Sequence, residues 1–454
     1  MMKKSLLLVL SLVTFALPVA GQTLSLEDCL RLSELHDPSL VNAQYSLLSA
    51  QAQQREARWE YFPKASLSGF GYDALDPLIK VTLLDVLGHG DQAQVLNENL
   101  SAAARENGIK PYYEGFRNGY GVGVTARQPL YAGGRIRSGN RLSDLGVQSA
   151  LIQKQMTQRA VRDTVESKYW RIVALQEKQR TLDGALSLLD ELEKELGSAV
   201  RSGVATETDL LKLQLKQREL LSGKYRLDGS LSLLKMDLFD QIGYSYRYLD
   251  LPGIRLQDLP ADPEDPEHWI DEQAESGVSD ESRLLQMRVD AGKLEKRLAV
   301  GELLPQAAVG VGYGYSSIQQ ASSGHFNGWV FASVQIPLTD LGKASQRARR
   351  YDYQIRQAET DRDYLESRLN LQVKMLRLEM ETTWKELEVA RDAASIASRT
   401  LSQMQSSYQA GLCTAGELLQ AELDYLSAQE ERINREIAYR LAVNGYRSRL
   451  DSNR

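Results

Sequence analysis

The sequence predicts a mainly α-helical chain with a membrane β part, built from a long helical hairpin that occurs twice and from four short strands. Three observations predict it. The first is the run Leu338 to Arg454, which contains no proline and is rich in Ala, Leu, Glu, Gln and Arg. Within it, Gly342 to about Gln409 reads as one helix. At the usual rise per residue such a rod is on the order of 100 Å long. Gly411 supplies the left-handed position that ends it, and Thr414 with Glu417 has the spacing of a capping box that opens a shorter return helix.

The second observation is a duplication. Pro129 precedes Gly203 by 74 residues and Pro337 precedes Gly411 by the same 74, with Thr206 and Asp209 standing 208 residues before Thr414 and Glu417. Self-similarity at a fixed offset marks a repeated structural unit. Residues 131 to 251 are also free of proline, so the first half has its own rod and return helix. Pro63 in Tyr61-Phe62-Pro63-Lys64-Ala65 and Pro305 in Leu303-Leu304-Pro305-Gln306-Ala307 form a further pair, offset by 242, which leaves a longer loop in the first half.

The third observation is period-two alternation in four places, each about nine residues long, the length of a tilted strand crossing a bilayer. In Ala65 to Tyr72, Leu67, Gly69 and Gly71 alternate with Ser66, Ser68, Phe70 and Tyr72, which leaves the outward face open. In Tyr120 to Gln128, Val122, Val124 and Ala126 share a face, and Pro129 is expected to close the strand. In Ala307 to Tyr315, Val309, Val311, Tyr313 and Tyr315 share a face, and Trp329 to Ile336 is the fourth strand.

In chain order, Lys3 and Lys4, the apolar run Leu6 to Ala16 and the small residues Ala20 and Gly21 read as a secretory signal peptide over 1–21. No cysteine stands at the expected cleavage point, so a lipid anchor there is not expected. A first repeat over 22–250 has its hairpin tip near Gly203. It begins with a short helix, Ser25 to His36, opened by Ser25 and Asp28 in capping-box spacing and stopped by Asp37-Pro38. A second helix, Ser39 to Tyr61, precedes Pro63. Residues 73 to about 118 are expected as a long polar loop. The return helix carries Leu210, Leu213, Leu220, Leu227, Leu231, Leu234 and Leu238 at threes and fours, a coiled-coil seam that Gln217 and Lys224 interrupt. A connector over 251–266 leads to a second repeat over 267–454, with a short helix near Trp269, a helix from Glu281 to Leu304, and a tip near Gly411.

Composition excludes several functions. Seven phenylalanines in 454 residues suit rods better than a large core. A net charge of −6 with interspersed signs offers no basic stripe for nucleic acid. After the signal segment no stretch of 18 apolar residues makes a transmembrane helix. Two cysteines, Cys29 and Cys413, are too few for a disulfide framework, and four scattered histidines show no metal-ligand spacing. No nucleophile, His/Asp constellation or metal cluster stands out, so neither an enzyme nor a cofactor is expected.

Four strands cannot close a barrel, since roughly eight is the practical minimum and open edges are not tolerated in lipid. The strands must therefore be shared between chains: a dimer supplies eight and a trimer twelve.

These residues resemble the TolC-like outer membrane efflux proteins, the outer-membrane channel-tunnels. The resemblance covers essentially the whole mature chain. Its carriers are Leu304-Pro305 before a glycine-alternating strand, Gln128-Pro129-Leu130-Tyr131-Ala132-Gly133-Gly134-Arg135, the weaker partner Gln335-Ile336-Pro337-Leu338, and Tyr408-Gln409-Ala410-Gly411-Leu412-Cys413-Thr414 followed by Glu417-Leu418-Leu419-Gln420-Ala421. It implies a homotrimer with a shared 12-stranded β-barrel in the outer membrane and a trimeric α-barrel tunnel of twelve helices extending into the periplasm. A periplasmic adaptor (membrane fusion protein) and an inner-membrane transporter would be its partners, in a tripartite efflux or type I secretion system that it serves as a passive conduit. An exported periplasmic coiled-coil adaptor, or another structural protein of such a machine, is the alternative; it would not duplicate the strands.

The tips carry the candidate site residues. Gly203, Val204, Thr206, Gly411, Leu412 and Thr414 would dock the adaptor, although the two glycines also serve simply as helix C-caps. Asp209 and Glu417 both lie six residues beyond a tip glycine, and three copies of each in a trimer would ring the tunnel's narrow end and attract cations. The resemblance implies that Glu417 faces the lumen and that Asp209 accepts a hydrogen bond from Tyr408. Both carboxylates also stand where a capping box needs them. The sequence departs from the family at Cys413, where the gate often has a charged residue, at Asp280, where proline is frequent, and in the length of the 73–118 loop.

Overall fold

The structure, a computed structural model, describes residues 23–88, 90–110, 112–115, 117–203, 205–243, 255–257, 263–318 and 324–453. The expected signal segment, Val204 and most of the 251–266 connector lie outside the described residues. The chain opens with β1 (Thr23–Leu24), α1 (Leu26–His36) and α2 (Pro38–Trp59), followed by β2 (Lys64–Asp73), β3 (Ile79–Thr82), α3 (Leu83–Leu87), α4 (Asp91–Glu106) and β4 (Tyr112–Gly115). Then come β5 (Asn118–Ala132), α5 (Arg135–Arg201), α6 (Glu207–Gln241), β6 (Arg255–Leu256), a 3-10 turn at Pro266–Trp269 and α7 (Glu272–Glu275). The chain ends with α8 (Asp280–Gly301), β7 (Gln306–Ile318), β8 (His325–Gln335), α9 (Leu338–Gln409) and α10 (Ala415–Asn453).

Local chemistry explains most boundaries. Ser25 caps α1 reciprocally with Asp28: the Asp28 N–H donates to Ser25 Oγ at 3.1 Å and the Ser25 N–H to the Asp28 carboxylate at 3.3 Å. Pro38 begins α2, where its missing N–H costs nothing. Between β5 and α5, Gly133 and Gly134 are both left-handed, at φ 61° and 77°. The Gly133 site is also crowded, because an added Cβ would run into the backbone of Gly301.

The fold divides into two compact units that cut across the two sequence repeats. One unit comprises Ser49–Gln148 and Met287–Glu359. Its centre is a four-stranded antiparallel sheet in the order β2-β5-β7-β8. The register places Leu67, Val122, Val124, Val309, Val311, Tyr313, Val330 and Val334 on one face. Phe70 and Tyr72 fall on the other, which resolves the side that the first strand left open. There they lie over glycines of the neighbouring strand: a Cβ on Gly121 would meet Phe70 at 2.7 Å and one on Gly119 would meet Tyr72 at 2.9 Å. Trp329 and Phe331 cover Gly312 and Gly310 in the same way. The glycine columns thus let large rings lie flat along the sheet.

Two expectations fail in this unit. Pro129 does not close β5, which runs on to Ala132 with a register irregularity between Pro129 and Tyr131. A bulge is where a strand accommodates a residue that has no N–H to donate. The expected polar loop over 73–118 contains instead the antiparallel strands β3 and β4, with the helices α3 and α4 between them in the chain. The run Gln92 to Glu106 holds no glycine or proline and is rich in Ala, Leu, Glu and Gln, so it is helix-forming despite its polarity.

The other unit comprises the chain up to Leu48, Ser149–Gln286 and Thr360–Arg454. Its apolar clusters are formed between long helices. Val165, Tyr169, Ile172 and Val173 of α5 pack with Leu238 and Phe239 of α6, Ile433 and Ile437 of α10, and Cys29 of α1. Val373, Met380 and Leu387 of α9 pack with Tyr439, Val443 and Tyr446 of α10. The rods begin and end within a few residues of the expected positions, whereas the short helix expected near Trp269 is a 3-10 turn followed by α7. Among the described residues no helix is long and apolar enough to cross a membrane.

Candidate functional site

The two hairpin turns are built alike. Gly411 is left-handed at φ 73°, its N–H donates to the Tyr408 carbonyl at 2.9 Å, and the Leu412 N–H donates to the Ser407 carbonyl at 2.8 Å. That is a Schellman closure, which satisfies carbonyls the ending helix would leave bare. Gly203 is left-handed at φ 77° and donates to the Val200 carbonyl at 3.0 Å. A Cβ at either glycine would meet nothing within 4 Å, so both positions are set by backbone conformation. Leu412, by contrast, stands 81% exposed.

Behind the turns the hairpins share one core. Leu189, Leu192 and Leu196 of α5, Leu213 of α6, Leu401 of α9, and Leu418 and Ala421 of α10 form a single cluster. Leu213 and Ala421, like Leu210 and Leu418, are 208 residues apart, so the repeats contribute equivalent positions to it. Tyr408 packs against this cluster, and burial, with smaller effects of Glu195 and Cys413, raises its hydroxyl pKa.

The return helices are capped differently. In α10 the capping box is complete: the Thr414 N–H donates to the Glu417 carboxylate at 2.7 Å, and the Glu417 N–H donates to Thr414 Oγ1 at 3.3 Å. Those bonds from the Thr414 backbone and hydroxyl hold the Glu417 carboxyl below the usual range, and the side chain is exposed. In α6 the Asp209 N–H donates to Thr206 Oγ1 at 3.2 Å and the Thr206 hydroxyl donates to the Asp209 carboxylate at 2.7 Å. Asp209 is one methylene shorter than Glu417, and no bond returns to the Thr206 N–H among the described residues. The Tyr408 and Asp209 side chains are not bonded to each other within the chain.

In the sequence Gln217 and Lys224 read only as breaks in a leucine seam. Each is a rung of a polar ladder between α5 and α6. Gln217 donates to Asp190 and Lys224 pairs with Asp183, while Gln214 donates to Glu193 and Gln179 to Asp228, at 2.8 and 2.7 Å. The regular spacing of acids on α5, at Asp183, Asp190 and Glu193, was the available signal.

In the other unit, the two faces of the sheet differ in charge. The valine and tyrosine face carries no charged residue from Ala65 to Gly71, Tyr120 to Gln128, Ala307 to Ser317 and Phe326 to Val334. Val122, Val311, Tyr313, Val330 and Val334 are all exposed on it. At its loop end Tyr120, Tyr313, Tyr315 and Phe326 form an aromatic cluster, with Tyr313 and Phe326 stacked at 5.7 Å. Apolar side chains exposed over four strands, with aromatics at the rim, are the surface pattern of a β-barrel wall facing lipid.

Residues 283–448 match the family model of the outer membrane efflux protein. No curated protein matches the chain in sequence. Among solved structures, the Campylobacter jejuni CmeC outer membrane channel superposes with a TM-score of 0.75 at 13% identity, over 94% of this chain and 86% of that one. The outer membrane protein VceC from Vibrio cholerae gives 0.71 at 15% identity, over 93% and 95%. The open state of the Neisseria gonorrhoeae MtrE outer membrane channel gives 0.67 at 15%, over 94% and 88%. At such identities the likeness is one of fold, and the fold is that of the TolC-like channels. The family match, over residues 283–448, falls within the second repeat.

Proposed function

We propose that this chain is the outer-membrane channel-tunnel of a tripartite efflux or type I secretion system. The observation that carries the reading is the four-stranded sheet with two unpaired edges and an exposed apolar face whose one charged residue is Asp73, at the end of β2. In the order β2-β5-β7-β8 neighbours alternate in direction, so β8 of one copy and β2 of the next can pair antiparallel. Three copies then close a 12-stranded barrel in the outer membrane, which removes the edges that lipid forbids. The duplicated hairpins of the three copies form the helical tunnel in the periplasm. A periplasmic adaptor meets the turns at Gly203, Val204, Thr206, Gly411, Leu412 and Thr414, and an inner-membrane pump supplies the energy. Glu417 and Asp209 ring the constriction, and Tyr408 bonds Asp209 in the closed assembly.

Fractionation and bilayer recording test this reading. The protein is expected in the outer membrane as a heat-sensitive trimer that conducts in planar bilayers, and deletion of Ala307 to Ile336 should abolish insertion. A soluble monomer overturns it. Glu417→Gln keeps the cap but loses the charge, so it should lower cation selectivity with little loss of trimer stability; unchanged selectivity leaves Glu417 as a cap. Bulky residues at Val204 and Leu412 should impair export without preventing trimer formation.

A further inference from the structure

The sheet face opposite the valines carries two charged residues in its described strands, and both are cations. Lys64 and Arg127 are direct cross-strand partners at the end of the sheet where the strands meet helices. Like charges placed opposite each other on neighbouring strands destabilise a sheet, so the pair needs a reason.

The second repeat supplies an internal control. By the offsets of 242 and 208, Lys64 corresponds to Gln306 and Arg127 to Gln335, and these two are likewise direct cross-strand partners. A glutamine pair therefore meets the structural demand of this position, and the positive charge of the first repeat is additional. The nearby carboxylate is common to both repeats: Glu60 corresponds to Glu302. Glu60 pairs with Lys64 at 2.6 Å, whereas Arg127 is exposed and has no ion pair or hydrogen bond among the described residues.

The pair borders a cavity of about 430 Å³, lined also by Glu60, Arg135, Asn140 and Gln306. Three cations against one carboxylate leave it positive. Arg135 is held only loosely, 3.7 Å from Glu302.

We propose that Lys64 and Arg127 form an anion-selecting site on the bore wall of the channel, taking solutes that bear a carboxylate, phosphate or sulfonate. The inference rests on the channel reading, because the apolar face then meets lipid and the opposite face lines the bore. Three copies place three such pairs around the passage, alternating with three glutamine pairs. Guanidinium presents two parallel donors to a planar or tetrahedral oxyanion, and a ring of fixed cations raises the local anion concentration.

The test uses the full-length protein in planar bilayers of uncharged lipid, comparing wild type with Lys64→Gln/Arg127→Gln, which copies the pair the second repeat already tolerates. The anion-to-cation permeability ratio, read from the reversal potential in a KCl gradient, should fall severalfold. The tripolyphosphate concentration giving half block should rise severalfold. Arg127→Lys, which keeps the charge, should retain most of the selectivity. Unchanged ratio and block in a conducting double variant overturn the site and leave the channel standing. A difference that appears only when the bilayer contains anionic lipid assigns the cations to headgroups and also overturns it. A wild-type protein that does not conduct overturns the channel reading, and this site with it.

Discussion

Glu422 of α10 and Gln214 of α6 hold equivalent places in the two hairpins, 208 residues apart, but only one of them is satisfied. Gln214 donates to Glu193 at 2.8 Å, while Glu422 is 3% exposed and its Oε2 has no hydrogen-bond partner among the described residues. The difference lies in the facing rod, where Glu193 is replaced by its counterpart Leu401.

Burial pushes the Glu422 carboxyl above its ordinary value of 4.5. The folded state therefore prefers the protonated form. Its contribution to stability is full below the ordinary glutamate range and is lost as pH rises through the raised value. Glu422→Gln removes the charge and with it that loss, so the variant should be the more stable of the two near neutral pH. Melting curves of variant and wild type should converge as pH is lowered toward 4.5; a constant difference at every pH refutes the assignment.

Arg449 and Glu281 show the opposite dependence. The Arg449 guanidinium, 8% exposed, donates to Glu281 Oε2 at 2.7 Å, and Ser452 donates to the same oxygen at 2.8 Å. Burial pushes the Glu281 carboxyl up, but a backbone N–H, Ser452 and Arg449 together bring it below its ordinary value. Stability from this group is present above the unfolded glutamate value and is lost as pH falls through the depressed one. Glu281→Ala leaves the arginine buried and unpaired, at a cost of about 3–5 kcal/mol. Thermal unfolding should show it, and the penalty should shrink in acid.

The two cysteines should differ in reactivity. Cys29 is fully buried, and burial, with a smaller effect of Asp28, pushes its thiol up to about 12. Since the thiolate is the reactive form, a maleimide should label Cys413 in the folded protein and reach Cys29 only after denaturation. Mass spectrometry of labelled peptides distinguishes the two.

Two glycine substitutions should separate conformational strain from collision. Gly411→Ala places a Cβ in open space at φ 73°, so it should cost about 1–2 kcal/mol, the strain of a left-handed residue. Gly133→Ala carries the same strain and also drives a Cβ into the Gly301 backbone, so its loss should be larger. Unfolding midpoints in detergent measure both; equal losses contradict the close approach.

The duplication, the rods, both turns and their caps could be read from sequence because each is decided within a few neighbouring residues. Gly411 ends a helix through its own backbone freedom, and Ser25 finds Asp28 one turn away. The alternation that marks the strands is local too, as is the uncharged run on their valine face. Composition misleads over 73–118, where polarity suggests a loop although the run up to Glu106 is rich in helix formers.

What only the tertiary structure decided depends on partners far apart in the chain. Phe70 and Tyr72 acquire a face only when β2 is registered against β5 and the glycines beneath them become visible. Lys64 and Arg127 become neighbours by the same registration, and so do Gln306 and Gln335. Glu422 looks like any helical glutamate until the facing rod offers Leu401 where the first hairpin offers Glu193. Backbone preference is a property of a few successive residues, whereas register and the satisfaction of buried charge depend on which distant segments pack together.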